Sequence, residues 1–204
     1  MDFVMNYVAL YLRLFFLLTP FFVLGAFITL TQDCTQELRA RLAWRIALGA
    51  SCVTLIIFLV GTFLMKLFGI TVDAFRMGSG VLLLLTSVAL VQSRVEKHEK
   101  TSPEQLLDMA VVPLSVPITA GPATLGTLMV MGTSTTGVLD RVCTSISIVL
   151  ACFSIGLLLR LSQQILKLLG HANILILSKI TGLILSAIAM QMILIGAKNM
   201  WMAP

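Results

Sequence analysis

The sequence predicts an all-α polytopic membrane protein of six transmembrane helices, built as two inverted three-helix repeats with the first and fourth helices broken or kinked. Three observations carry this. Of the 204 residues, 58% are apolar and only 11% charged, against about 45–50% and about 25% in soluble domains. The charges are confined to short gaps between long uncharged runs, and a proline-interrupted run stands at corresponding places in the two halves. The low charge excludes an ordinary soluble enzyme, a disordered chain and a nucleic-acid-binding domain. The net charge of +5 requires no acidic partner, because Lys and Arg occupy the gaps where a bilayer protein keeps them. Cys34, Cys52, Cys143 and Cys152 have neither disulfide nor metal spacing, so no metal or cofactor is expected.

The uncharged runs are Leu14–Gln32, Ile46–Met65, Met77–Ser93, Met109–Leu139, Val142–Leu159 and Ile180–Ala197. A spanning helix needs about 17–25 apolar residues. Five runs fit one span each. The fourth, of 31 residues, is too long for one upright helix and contains Pro113, Pro117, Gly121 and Pro122, so it reads as one broken span. The N-terminal run has no basic stretch before it and no small-residue cleavage site, and reads as a retained span. The hydrophilic segment Arg94–Asp108 divides the chain into a first repeat (1–93), a cytoplasmic linker (94–107) and a second repeat (108–204). His98 in the linker reads as a solvated side chain. His171 falls at an interfacial turn beside Gly170.

Lys and Arg in short loops set the orientation. The gaps after spans one, three and five hold eight (Arg39, Arg41, Arg45, Arg94, Lys97, Lys100, Arg160, Lys167), and the opposite side holds four (Lys66, Arg76, Arg141, Lys198). The richer side is expected in the cytoplasm, which leaves both termini outside.

Sliding the chain by 102 positions aligns the halves without gaps. Pro20 falls on Pro122, Arg39 on Arg141 and Gly80 on Gly182. Three spans per repeat is odd, so the second repeat must enter the membrane upside down, an architecture that many secondary transporters share. There the solute site lies near the midplane, where discontinuous helices meet. A proline removes one N–H and frees the carbonyl four residues earlier, and in lipid such a group costs several kcal/mol unless protein or a wet cavity satisfies it. The cluster Pro113–Pro122 is thus expensive on a lipid-facing helix. Ser115, Thr119, Thr124 and Thr127 around it offer hydroxyls to the backbone or to a solute.

Asp108 opens the fourth span, either as a charge favourable to the helix dipole or as a carboxylate that takes a proton or cation. Arg76 and Lys179, at the starts of spans three and six, read as snorkelling side chains. Arg13 precedes a long apolar stretch and is harder to place at an interface. Gln191 in the last span is an amide expected to face the bundle interior. The small-residue pairs Gly182/Ser186 and Cys152/Gly156 suit close helix packing. No HExxH, GxSxG or Walker loop is present, so an enzyme is not expected, and the eleven Met show no soft-metal pathway.

Three segments carry a resemblance. DMAVVPLSVPITAGPATLGT, FGITVDAFRMGSGVLLLL and ITGLILSAIAMQMILIGA resemble, in order and spacing, the signatures of the MarC family of bacterial inner-membrane proteins. That family is similar in architecture to the LysE-type exporters, and its better-understood members are described as neutral amino acid transporters. The resemblance places Asp108, Pro113, Pro117, Gly121 and Pro122 on the fourth-span motif, Arg76 and Gly80 on the third, and Gly182 and Gln191 on the last. Two positions depart from the pattern: Thr19-Pro20 stands for Asn-Pro, and Gly121-Pro122-Ala123 for Gly-Pro-Gly.

The expected function is secondary transport of a small zwitterionic solute, a neutral amino acid foremost, in the bacterial inner membrane, with export as one direction and H⁺ or another cation coupled. The expected site is Thr19 and Thr119 as hydroxyl ligands, backbone around Pro20, Pro113, Pro117, Gly121 and Pro122, the Gln191 amide, and Asp108 for the coupling ion. The lipid bilayer and a small-molecule substrate are the expected partners. The alternatives are an ion or metal-cation channel or exporter, and a non-transporting membrane scaffold or sensor.

Overall fold

The computed structural model describes residues 2–32, 34–92, 121–135 and 137–202, and these are helical apart from short turns. In chain order the helices are α1 (Asp2–Leu17), α2 (Pro20–Leu30), α3 (Gln36–Leu67), α4 (Val72–Gln92), α5 (Pro122–Ser134), α6 (Val138–Arg160) and α7 (Ser162–Met202). Among the described residues, five stretches are long and apolar enough to cross a membrane: Met5–Leu30, which joins α1 to α2, and helices α3, α4, α6 and α7. The linker 94–107 and the expected site residues Asp108, Pro113, Pro117 and Thr119 lie outside the described residues.

Helical geometry is left at Thr19, whose φ of 49° and ψ of 54° are left-handed, and α2 begins at Pro20. α5 likewise begins at Pro122, capped by the extended Gly121. A proline in the first turn costs nothing there, because its missing N–H would have had no intrahelical partner.

Helices run past the uncharged intervals. α3 starts ten residues before Ile46, and at 1.5 Å per residue its 32 residues extend about 48 Å, beyond an apolar layer of about 30 Å. Its ends can therefore carry Glu37 and Lys66. The fourth run, expected to reach Leu139, is divided: α5 stops at Ser134, and Gly137 caps α6. No charge marks either boundary, so charge spacing alone runs through them. The gap Arg160–Lys179 is not an open loop. It is helical on both sides of a kink at Gly170, whose φ of 73° and ψ of 164° only glycine adopts without strain. Asn173 Nδ2 donates to Leu169 O at 2.8 Å, meeting a carbonyl beside the kink.

Packing is closest where side chains are smallest. A Cβ placed on Gly80 of α4 would stand 2.8 Å from Ile193 Cγ1 and 3.1 Å from Ala189 O. One on Gly182 of α7 would stand 3.0 Å from both Val91 Cγ2 and Ser87 O. These contacts run α4 and α7 antiparallel, nearly backbone to backbone. α3 meets α6 through Trp44 on Phe153, ring centroids 5.6 Å apart, and Thr54 Oγ1 lies 3.7 Å from Cys152 Sγ. α1 meets α6 through Tyr11 and Ser154, hydroxyls 2.7 Å apart. The core between the helices is filled by Leu17, Leu24, Ile46, Leu83, Ile155 and Leu185, all buried.

Buried hydroxyls are mostly satisfied by the preceding turn. Thr31, Ser51 and Thr54 donate to Phe27 O, Ala47 O and Ala50 O at 2.6–2.7 Å, the pattern by which Ser and Thr enter apolar helices. Arg39 caps the end of α2, with Nε donating to Thr31 O and Nη2 to Gln32 O, each at 2.9 Å. Arg141 donates through Nε to Thr135 O at 3.3 Å, at the end of α5. The outer surface carries Leu48, Ile56, Leu59, Phe63, Leu85, Ile146, Leu150 and Leu194, all exposed. An apolar exterior of this extent fits lipid rather than water.

Candidate solute-binding cavity

The helices leave a cavity of about 580 Å³, within the roughly 300–1,000 Å³ usual for small-molecule sites. Its walls come from the N-terminal stretches of α1, α4 and α6 and the C-terminal stretches of α5 and α7. The cavity therefore lies toward the side of the bundle where both ends of the described chain emerge. Leu10, Met192 and Ile195 give it an apolar wall, and Thr127 and Ser134 add hydroxyls from α5.

Among the described residues, three charged side chains line it: Arg13, Arg76 and Asp140. Arg76 Nη1 is 3.0 Å from Asp73 Oδ1, whose same oxygen accepts from Asn199 Nδ2 at 2.9 Å. This network ties the start of α4 to the end of α7, so Arg76 is paired rather than simply extended to the interface. Asp140 Oδ1 accepts from the Tyr7 hydroxyl at 3.0 Å, joining α1 to α6. Arg13 has no ion pair or hydrogen bond among the described residues. It stands eight residues inside the span that begins at Met5, about 12 Å along the axis. An Arg at mid-span costs about 2.5–3.5 kcal/mol on insertion scales, so a charge held there on a cavity wall is a functional signal.

Of the expected site residues that are described, Gln191 lines this cavity. Thr19, Pro20 and Gly121 are not among its walls. Thr19 and Pro20 are buried at the start of α2, and the Thr19 side chain makes no capping bond. The start of α5 is nevertheless tied to the break between α1 and α2: Thr124 Oγ1 donates to Leu17 O, on the last residue of α1, at 3.1 Å. Leu17 O would otherwise be left without its helical partner where α1 ends. A hydroxyl from the second half thus meets a carbonyl freed in the first.

Tyr7, Thr144 and Asp140 carry polar wall positions that residue patterns did not single out. Thr144 is 3% exposed, and its hydroxyl has no hydrogen-bond partner among the described residues. Arg13 was distinguishable as a charge inside an apolar run, but nothing in the pattern placed it beside α6 and α7. Among the described residues no group of three His, Cys, Asp or Glu could hold a metal ion.

Comparison with known proteins gives one family. The model for the MarC family of integral membrane proteins matches residues 4–201. A UPF0056 membrane protein of Methanocaldococcus jannaschii is 32% identical over 190 residues, covering 91% of this chain and 93% of its own length. One from Aquifex aeolicus is 28% identical over 204 residues, covering 98% and 95%. The UPF0056 membrane protein YhcE of Escherichia coli is 25% identical over 200 residues, covering 96% and 93%. No solved structure matches the chain.

Proposed function

The chain belongs to the MarC family of integral membrane proteins, and from that premise we propose that it is a secondary transporter of small zwitterionic solutes, neutral amino acids foremost, and not an enzyme. The observation that carries this is the cavity itself: a space of about 580 Å³ that, among the described residues, is lined by polar as well as apolar side chains from five helices in an otherwise apolar bundle. A carrier needs such a space, and a scaffold does not.

The reading also takes the chain as two inverted repeats. Subtracting 102 from Ala189 and Ile193, the neighbours of Gly80, gives Ser87 and Val91, the neighbours of Gly182. Each glycine therefore meets the counterpart of what the other meets, as a two-fold axis between α4 and α7 requires. Arg39 and Arg141, also 102 apart, each donate to carbonyls at the C-terminal end of the helix that begins with Pro20 or Pro122. Such repeats bind solute between them and expose the site alternately to either side. The charge asymmetry of the loops puts the richer side in the cytoplasm of the inner membrane, so the cavity opens outward.

In this mechanism α5 walls the cavity with its C-terminal stretch, and Thr124 near its start ties it to Leu17, where α1 ends before α2. The Gln191 amide contacts the solute, and H⁺ or another cation supplies the driving force. Uptake of labelled alanine into proteoliposomes tests this. Flux should saturate and exceed that of empty vesicles, Gln191→Leu should weaken half-saturation about tenfold, and replacing Gly121 and Pro122 with Ala should abolish transport with expression intact. Flux equal to that of empty vesicles would end the reading.

A further inference from the structure

We propose that Arg13 is the anion anchor of the cavity, receiving the carboxylate of the solute, with the Thr144 hydroxyl as its neutral partner. This rests on the transport reading and names the chemistry of the site that reading requires. Of the described charges lining the cavity, Arg76 is engaged by Asp73 and Asp140 by Tyr7, and Arg13 is unmet among the described residues. A guanidinium is always charged at working pH and offers a planar fork of donors that matches a carboxylate in two parallel bonds.

Thr144 is the independent observation. It is 3% exposed and lines the same cavity, and its hydroxyl bonds to nothing described. Ser147, less than a turn further along α6, returns its hydroxyl to Cys143 O at 2.9 Å, and Thr127 across the cavity returns its own to Ala123 O at 2.9 Å. Among the described residues, the fully buried side-chain oxygens without a partner are Ser162 Oγ and Ser178 Oγ, whereas the Thr144 oxygen opens on the cavity, where a ligand can reach it. Leu10, Met192 and Ile195 supply the apolar wall against which an uncharged substituent would lie. The site thus suits a small carboxylate with an apolar substituent better than an amine, an alcohol or a bare inorganic anion.

The test is thermal stabilisation of the full-length protein in detergent by alanine, propionate, ethylamine and added chloride. Alanine and propionate should stabilise, and ethylamine and chloride should not. Arg13→Gln should weaken the apparent affinity for alanine and propionate about ten- to a hundredfold, the usual range for a hydrogen bond to a charged group. Arg13→Lys should keep part of it, and Thr144→Val should weaken both ligands about tenfold at unchanged ligand-free melting. Stabilisation by ethylamine equal to that by alanine, equal protection by chloride, no response to propionate, or full propionate affinity in Arg13→Gln would each overturn the assignment. Propionate binding without alanine flux in proteoliposomes would keep the anchor and remove the transporter. Flux that is unchanged in Arg13→Gln would do the reverse.

Discussion

Gly78 and Gly80 stand two residues apart on α4, yet alanine should act on them with opposite signs. At Gly80 the added Cβ would lie 2.8 Å from Ile193 Cγ1, 3.1 Å from Ala189 O and 3.2 Å from Ile193 N. Carbon pairs are at rest near 3.5–4.0 Å, so the helices must separate or Ile193 must turn by most of an ångström. Overpacking of this kind costs about 1–3 kcal/mol. Alanine recovers about 1 kcal/mol of helix propensity over glycine, which leaves Gly80→Ala destabilised by up to about 2 kcal/mol. At Gly78 the Cβ meets nothing within 4 Å, so only the propensity gain remains and the variant should be more stable by about 0.5–1 kcal/mol. For a chain of this length 1 kcal/mol moves Tm by about 2–4 °C. Paired melting curves in one detergent should therefore place Gly78→Ala above the parent and Gly80→Ala below it. Gly182→Ala should fall with Gly80→Ala, because its Cβ would lie 3.0 Å from both Ser87 O and Val91 Cγ2. Equal shifts at Gly78 and Gly80 would refute the backbone contact between α4 and α7.

Other substitutions follow from single contacts, each read as a change in Tm. Thr124→Val removes the donor to Leu17 O and strands a buried carbonyl, which should cost about 1–3 kcal/mol; an unchanged Tm would show that carbonyl to be met elsewhere. Arg39→Met removes both bonds that close α2 and should cost about 1–3 kcal/mol, more than Arg141→Met, which loses one longer bond. Gly170→Ala forces a side chain onto a φ of 73° with ψ of 164° and should cost about 1–3 kcal/mol, although its Cβ meets nothing.

How much of this could be read beforehand differs between fold and site. Helix positions were legible because Lys, Arg, Asp and Glu are excluded from the apolar layer, so Arg45 and Lys66 bracket the middle of α3 and Arg141 and Arg160 that of α6. Helix ends were not, because a helix that leaves lipid gains nothing by stopping, and α3 continues back to Gln36. Pro20 and Pro122 marked helix starts through covalent chemistry alone: neither residue has an N–H to give. The end of α5 at Ser134 and the start of α6 after Gly137 are marked by no charge, so charge spacing does not find them. The cavity walls were the least legible. A membrane helix is apolar all round, so periodicity does not separate the face toward lipid from the face toward the bundle. Gln191 and Arg13 stood out only because an amide and a guanidinium are rare in such surroundings. Thr144 resembled any other hydroxyl until its missing local bond set it apart from Ser147 and Thr127.

The most direct test of the central claim is solute protection of a cysteine in the cavity wall. Ser134 lines the cavity and is exposed. With Cys34, Cys52, Cys143 and Cys152 replaced by Ala, Ser134→Cys should react in intact cells with a membrane-impermeant thiol reagent, and alanine in the medium should slow that reaction. Labelling only after the membrane is opened, or labelling at the same rate with and without alanine, would contradict an outward-facing solute cavity.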